Sequence, residues 1–191
     1  MTEVLIDLIS SLDGYAAAEG WPGYWGLEGP EYLGWLGESP DRDSTILMGA
    51  TTYRLMSDFA SRAADDSFAP LTQTPKVVFS GTLDEPLTWA NSTLVTTDAV
   101  EAVRSLKAAD GPGLRTLGSL SLGRSLLTAG LVDRFRVVVV PVITGRTGRD
   151  PIYDGYPDVA LELVDRRTFD DRLQLLEYVP TVLTGPPRAA P

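Results

Sequence analysis

Residues 114–133 read LRTLGSLSLGRSLLTAGLVD, a short apolar run that ends at Gly118-Ser119 and passes straight into a helical pattern. Leu120, Leu122, Leu126 and Leu127 give that helix a buried side, and Gly130 stands where a C-terminal cap belongs. A small-residue turn between strand and helix lets bare backbone N–H groups face a ligand, and the helix dipole favours negative charge there. The turn therefore predicts a phosphate, and with it a nucleotide cofactor. Gly and Ser are also ordinary helix-start residues, so a plain cap is the other reading.

Composition narrows the chemistry. The chain has 191 residues, 43% of them hydrophobic, which suits one compact domain with a sizeable core. No stretch approaches the roughly 18 apolar residues of a membrane span. The segment MTEVLIDLIS lacks the basic lead and small-residue cleavage site of a signal peptide. A cytoplasmic protein without membrane contact is expected. There are no cysteines, which excludes disulfides, thiolate nucleophiles and thiolate metal sites. There are no histidines either, which removes the commonest general base and zinc ligand, and with them Ser-His-Asp and zinc hydrolysis. No metal centre is expected. Chemistry must rest on carboxylates, hydroxyls, backbone amides or a cofactor. With 26 acidic and 16 basic residues the net charge is −10, a poor match for nucleic acid, so a small molecule is the expected partner.

Outward from the opening stretch, FRVVVVPVI (Phe135 to Ile143) is the strongest strand, with Pro141 predicting a bend or an edge. Ahead of it, VLIDLI (Val4 to Ile9), STILMG (Ser44 to Gly49) and KVVFSG (Lys76 to Gly81) read as buried strands, and Thr88 to Val95 adds one or two short ones. A helix starts at Pro30 with Glu31 in its first turn, and another follows from Ala50. A third is signed by Asp98 and Glu101 as a capping box, ending before Gly111-Pro112. Gly14 to Pro30 is a loop rich in Gly and flat side chains, suited to covering a flat ligand or to pinning itself to the core. Ala160 to Phe169 and Arg172 to Leu183 have the spacing of a hairpin across Asp170-Asp171. Strand–helix alternation with a strand-only ending predicts an α/β fold: one three-layer sandwich over residues 1–184, its central sheet mostly parallel with an antiparallel C-terminal edge. Residues 185–191 read as a flexible tail.

Five segments, in order, carry a resemblance: SLDGYAA, LMGATTY, VFSGTL, LGSLSLGRSLLTAGLVDRF and PVITGRTGRDPIY. From Val4 to about Leu183 the chain resembles the dihydrofolate reductase-like fold, and more closely the branch similar to the C-terminal reductase domain of riboflavin biosynthesis. That resemblance implies a homodimer and a pyridine dinucleotide across the sheet, NADPH with NADH as the alternative. It implies Ala17 near the nicotinamide, Gly49 and Thr52 and then Ser80 along the adenosine side, and Gly118, Ser119, Leu120 and Ser121 on the pyrophosphate. Serine at 119 stands where the family often has a second glycine. Ala50 and Gly81 stand where many dihydrofolate reductases carry arginines for the 2′-phosphate, leaving Arg54, Arg124 or a distant side chain to substitute.

Two acids are the catalytic candidates. Asp13, in SLDG, either serves the reaction or caps its turn. Glu31 is the one acid placed like the proton donor on the first helix of dihydrofolate reductases, and it also complements the helix dipole. Trp21, Tyr24, Trp25 and Trp35 are candidates for stacking on a planar substrate, with core packing the other reading for Trp35. Arg146 and Arg149 either bind an acidic substrate group or sit in solvent beside nearby acids. The resulting expectation is an NAD(P)H-dependent reductase acting on a small planar heterocycle or imine-like bond. A catalytically inactive nucleotide- or small-molecule-binding protein on the same fold is the alternative, and a dimerisation module using the strand near Pro141 the third.

Overall fold

Runs of β-branched residues alternating with amphipathic helices build an eight-stranded sheet. The computed structural model describes residues 2–21 and 23–186, with backbone alone for Gly23 and Tyr24. The stacking expected of Tyr24 and residues 187–191 of the expected tail therefore lie outside the described residues. The elements are β1 (Val4–Ser11), β2 (Tyr15–Ala18), α1 (Pro30–Glu38), β3 (Thr45–Gly49), α2 (Ala50–Arg62), α3 (Ala69–Gln73) and β4 (Lys76–Phe79). After them come β5 (Ser92–Val95), α4 (Ala99–Ala108), β6 (Leu114–Thr116), α5 (Leu120–Thr128), β7 (Arg134–Val140), β8 (Gly148–Pro151), β9 (Val159–Phe169) and β10 (Leu173–Val182). In the sheet order β5-β4-β3-β6-β1-β7-β10-β9, the six strands from β5 to β7 run parallel, and β10 and β9 close the edge antiparallel.

The sheet is covered on both faces. On one, Val103 of α4 and Leu122, Leu126 and Leu127 of α5 pack on Ile6, Leu8 and Leu47. On the other, Tyr53 of α2 packs on Ile46, Met48 and Val78, and Tyr32 of α1 packs on Val138 and Leu175. Leu126 is fully buried; burial of a leucine contributes about 1.5–3 kcal/mol, and cutting it to alanine costs roughly 2–5 kcal/mol. No helix among the described residues is long and apolar enough to cross a membrane.

Two expectations need correction. β7 stops at Val140, short of Ile143, because Pro141 has no N–H to offer a ladder and Val142 N turns back to Val140 O at 2.7 Å. β7 is also an interior strand, between β1 and β10, so it offers no free edge near Pro141. The Gly-rich loop and the TGRTGRD loop each contain a strand: β2 and β8 pair antiparallel as a separate two-stranded sheet, Tyr15 opposite Pro151. Their partners are 130 or more positions apart, so neither shows local periodicity. Phe169 pairs with Leu173, so Asp170, Asp171 and Arg172 join the hairpin; Asp170 and Asp171 have left-handed φ (52° and 53°), as a primed turn requires, and Arg172 N donates to Phe169 O at 3.0 Å.

Candidate functional site

Neighbouring parallel strands β3 and β6 send their following helices to opposite faces: α2 sits on the Ile46–Met48 side and α5 on the Ile6–Leu8 side. This is a topological switch point, where an α/β sheet opens a crevice beyond the carboxyl ends of its strands. Gly49 and Gly118-Ser119 stand at its lips. Gly118 and Ser119 are consecutive left-handed residues (φ 55° and 58°), which swing the backbone out of β6 and into α5. Ser119 Oγ accepts from Gly49 N at 2.9 Å and donates to Thr52 Oγ1 at 2.9 Å. One hydroxyl therefore ties the heads of both helices together.

Those heads differ from the heads of α1 and α4, and share their lack of a cap and of a first-turn acid with the five-residue α3. α1 is closed by the Asp170 carboxylate, which accepts from the amides of Glu31 and Tyr32 at 3.1 and 3.2 Å. α4 is closed by Asp98, whose Oδ1 accepts from Glu101 N at 3.0 Å. α2 and α5 have no side-chain cap and no acid in their first turns. In a chain of net charge −10, two acid-free helix heads side by side form a surface of N–H donors suited to an anion. Leu120 and Ser121 are the first residues of α5. Ser80 follows β4, whose Phe79 is in register with Gly49, and its Oγ accepts from the amides of Thr82 and Leu83 at 3.0 and 3.1 Å. Gly49, Thr52, Gly118 and Ser119 are thus in mutual contact, with Ser80 on the adjoining strand. Ala17 lies in β2 opposite Arg149.

Asp13 and Glu31 each hold a loop. Asp13 Oδ1 accepts from Ser11 Oγ at 2.7 Å and Thr144 N at 3.1 Å, and Oδ2 from Gly145 N at 2.8 Å. The Ser11 hydroxyl above all, then the Gly145 and Thr144 amides, hold its carboxyl well below the usual carboxylate range. It clasps the β1–β2 turn to the loop after β7. Glu31 Oε2 accepts from Asp170 N at 2.6 Å, reciprocating the Asp170 cap; its other oxygen takes no hydrogen bond among the described residues. Gly29 permits this contact, since a Cβ there would lie 2.2 Å from the Asp170 carboxylate. Of the aromatic candidates, Trp25 and Trp35 pack in the core with Tyr32 and Phe169, and Trp21 is exposed. Arg149 pairs with Glu19 at 3.2 Å in solvent, while Arg124 donates to Asp154 O at 3.0 Å.

The strongest electrostatic feature went unread in the sequence. Arg136, 3% exposed, binds Asp7 through Nε and Nη2 (3.0 and 2.7 Å) and Asp41 through Nη1 (2.6 Å). Arg134 grips Asp41 with both terminal nitrogens (2.7 and 3.1 Å) and Glu177 through Nε at 2.7 Å. Trp35 lies over the Arg136 guanidinium at 5.0 Å. Burial alone would raise Asp41, but the hydrogen bonds from Arg134 and Arg136 outweigh it and hold its carboxyl below the ordinary value. The available signal was a lone charge in each apolar run, Asp7 in VLIDLI and Glu177 in LQLLEYV, matched by two arginines in RFRVVVV.

Comparison with known proteins agrees with this architecture. The uncharacterized protein YyaP of Bacillus subtilis (strain 168) is 26% identical over 180 residues, 92% of this chain and 93% of its own. A putative riboflavin biosynthesis protein from Shewanella sp. PV-4 superposes with a TM-score of 0.69 at 18% identity, over 94% of this chain and 99% of that one. Dihydrofolate reductase from Enterococcus faecalis, solved with NADP(H), gives 0.59 at 12% identity, over 93% and 96%. These likenesses show a dihydrofolate reductase-like fold. The model of the RibD C-terminal domain matches residues 2–175, so the chain belongs to that family.

Proposed function

We propose that the protein is a reductase that takes NADPH, with NADH as the alternative, and reduces a small planar heterocyclic or imine-like substrate. The observation that carries this reading is the meeting of two uncapped, acid-free helix heads at the switch point. A pyrophosphate dianion calls for N–H donors without a competing carboxylate, and this donor set fits it. In this reading Gly118, Ser119, Leu120 and Ser121 hold the pyrophosphate, Gly49, Thr52 and Ser80 line the adenosine side, and Ala17 backs the nicotinamide. When bound, the reduced nicotinamide supplies the hydride, so the chain needs neither histidine nor cysteine. The chain's own tasks are to orient, to exclude water and to deliver a proton. Buried Trp25 anchors the loop ahead of α1 to the core. We assign the proton to the unbonded oxygen of Glu31 and loop positioning to Asp13.

Titration of the purified protein with NADPH and NADH, followed by tryptophan fluorescence, tests the reading. Saturable quenching is expected; no response to either at millimolar concentration overturns it. The inactive binding protein is the second reading, favoured because Asp13 and Glu31 both hold backbone amides. NADPH consumption with a panel of pterins, dihydrofolate, flavin precursors and enones separates the two. We also propose a cytoplasmic homodimer, as the resemblance implies; a single-chain mass in light scattering at every concentration argues against the dimer.

A further inference from the structure

The last two strands carry apolar side chains where the sheet has no cover. Leu161, Leu163 and Val164 of β9 and Val179 of β10 are each 40% exposed or more. Leu161 is opposite Pro180 and Leu163 opposite Tyr178, and opposed residues share a face, so these four make one apolar strip. Tyr178 and its neighbour in alternation, Leu176, pack against the cluster beneath α4 and α5, which puts the strip on that side of the sheet. Those helices pack over Ile6, Leu8 and Leu47 of β1 and β3, and β9 lies three strands beyond β1. The strip is left in solvent.

The backbone there is also short of support. β7 pairs with β10 from Gln174 to Tyr178, whereas Val179 to Val182 pair with β9. Two strands alone thus run past the end of β7, and a two-stranded ribbon is marginal by itself in water. An antiparallel edge facing solvent ordinarily shows it polar side chains. Here leucines stand on one face and Val179 on the other.

The free edge of β9 does not suit an added strand. Its register with β10 shifts between Glu177 and Tyr178, which leaves Val164 as a bulge in mid-strand, and a bulge interrupts a continuous ladder. Contact therefore falls to side chains. Their charges say with what: acids stand at the start of β9 (Asp158 and Glu162), the apolar residues at its middle, and bases at its end (Arg166 and Arg167). Asp165, among the bases, is taken by Arg167 at 2.9 Å. A partner of uniform charge would match one end and oppose the other. A strip acid at one end and basic at the other is complementary to itself when turned end for end, the two-fold relation of an isologous dimer.

We propose that this strip, centred on Leu161, Leu163 and Val164, is the surface through which two copies of the chain associate, with Arg166 of each copy set against Glu162 of the other. The inference rests on the homodimer proposed above, gives it a surface, and is independent of the dinucleotide.

Sedimentation velocity at micromolar concentration is the test. Wild type is expected to sediment as a dimer and Leu163→Lys as a monomer with an unchanged circular dichroism spectrum, since Leu163 is already exposed within one copy. Glu162→Arg and Arg166→Glu each place like charges at both symmetric contacts and should weaken association by about tenfold. The double variant, which exchanges the two charges, should recover it. A dimer that persists in Leu163→Lys, or a double variant no better than the single ones, overturns this surface while the homodimer stands. A wild type that is monomeric at every concentration overturns both, and growth into species larger than a dimer overturns the two-fold relation.

Discussion

Ser119 Oγ accepts the Gly49 amide at 2.9 Å, so the heads of two helices on opposite faces of the sheet share one hydroxyl. Ser119 sustains this bond from a left-handed backbone, φ 58°, at a cost of about 1–2 kcal/mol for a residue with a Cβ. Ser119→Ala keeps the strain and loses the bond, whereas Ser119→Gly loses the bond and sheds the strain. Ser119→Ala should therefore be less stable than Ser119→Gly by about 1 kcal/mol, and both should bind dinucleotide roughly 3- to 10-fold more weakly. Thermal unfolding and fluorescence titration check this. An alanine variant as stable as wild type refutes the tie.

Gly29 and Asp170 are expected to behave as one unit. Gly29→Ala pushes the Asp170 carboxylate off the head of α1 and should cost about 1–2 kcal/mol, the usual worth of a cap. Asp170→Gly removes the same bonds while suiting the left-handed φ. The double variant should then be little worse than either single one, and strict additivity in urea unfolding would contradict the coupling.

Asp41 predicts how acid unfolds the protein. Its folded-state pKa lies below the unfolded value, near 3.9, so the unfolded chain takes the proton first. The stability it contributes is complete above about pH 5 and is lost as pH falls through the folded value. Asp41→Asn leaves Arg134 and Arg136 short of a carboxylate and should cost about 3–5 kcal/mol at pH 7, with a flatter decline between pH 5 and 3. Urea midpoints across that range decide it.

Glu31 and Asp13 separate by their kinetics. Glu31→Gln should lower kcat, whereas the pH profile reads Asp13. Asp13→Asn should leave the shape of the profile intact, because a carboxyl held so far down carries no proton under working conditions. Loss of a limb in Asp13→Asn would reassign the donor.

What the sequence made legible follows the range of each signal. Apolar runs and the Asp98–Glu101 box are local, and they located all eight strands of the main sheet and the helix at Ala99–Ala108 with small errors at the ends. Gly118-Ser119 announced an open helix head, since the turn residues and the missing acid are adjacent in the chain. The serine hydroxyl bridging to Gly49, 70 positions away, had no local trace. The same holds for β2 with β8, for Asp170 capping α1 from 138 positions off, and for Arg54 reaching Thr82. Tertiary contacts made these features, and periodicity does not encode them.

Apart from Lys76, whose Nζ donates to the Leu71, Thr72 and Thr74 carbonyls, the interior charges are carboxylates matched to guanidinium groups, and the chain contains no imidazole or thiol. Lys76, pushed down to about 8 by burial, is the nearest side chain with a displaced titration. Since the unfolded chain holds this proton more tightly than the folded one, Lys76 makes the fold gain stability as pH rises above about 8.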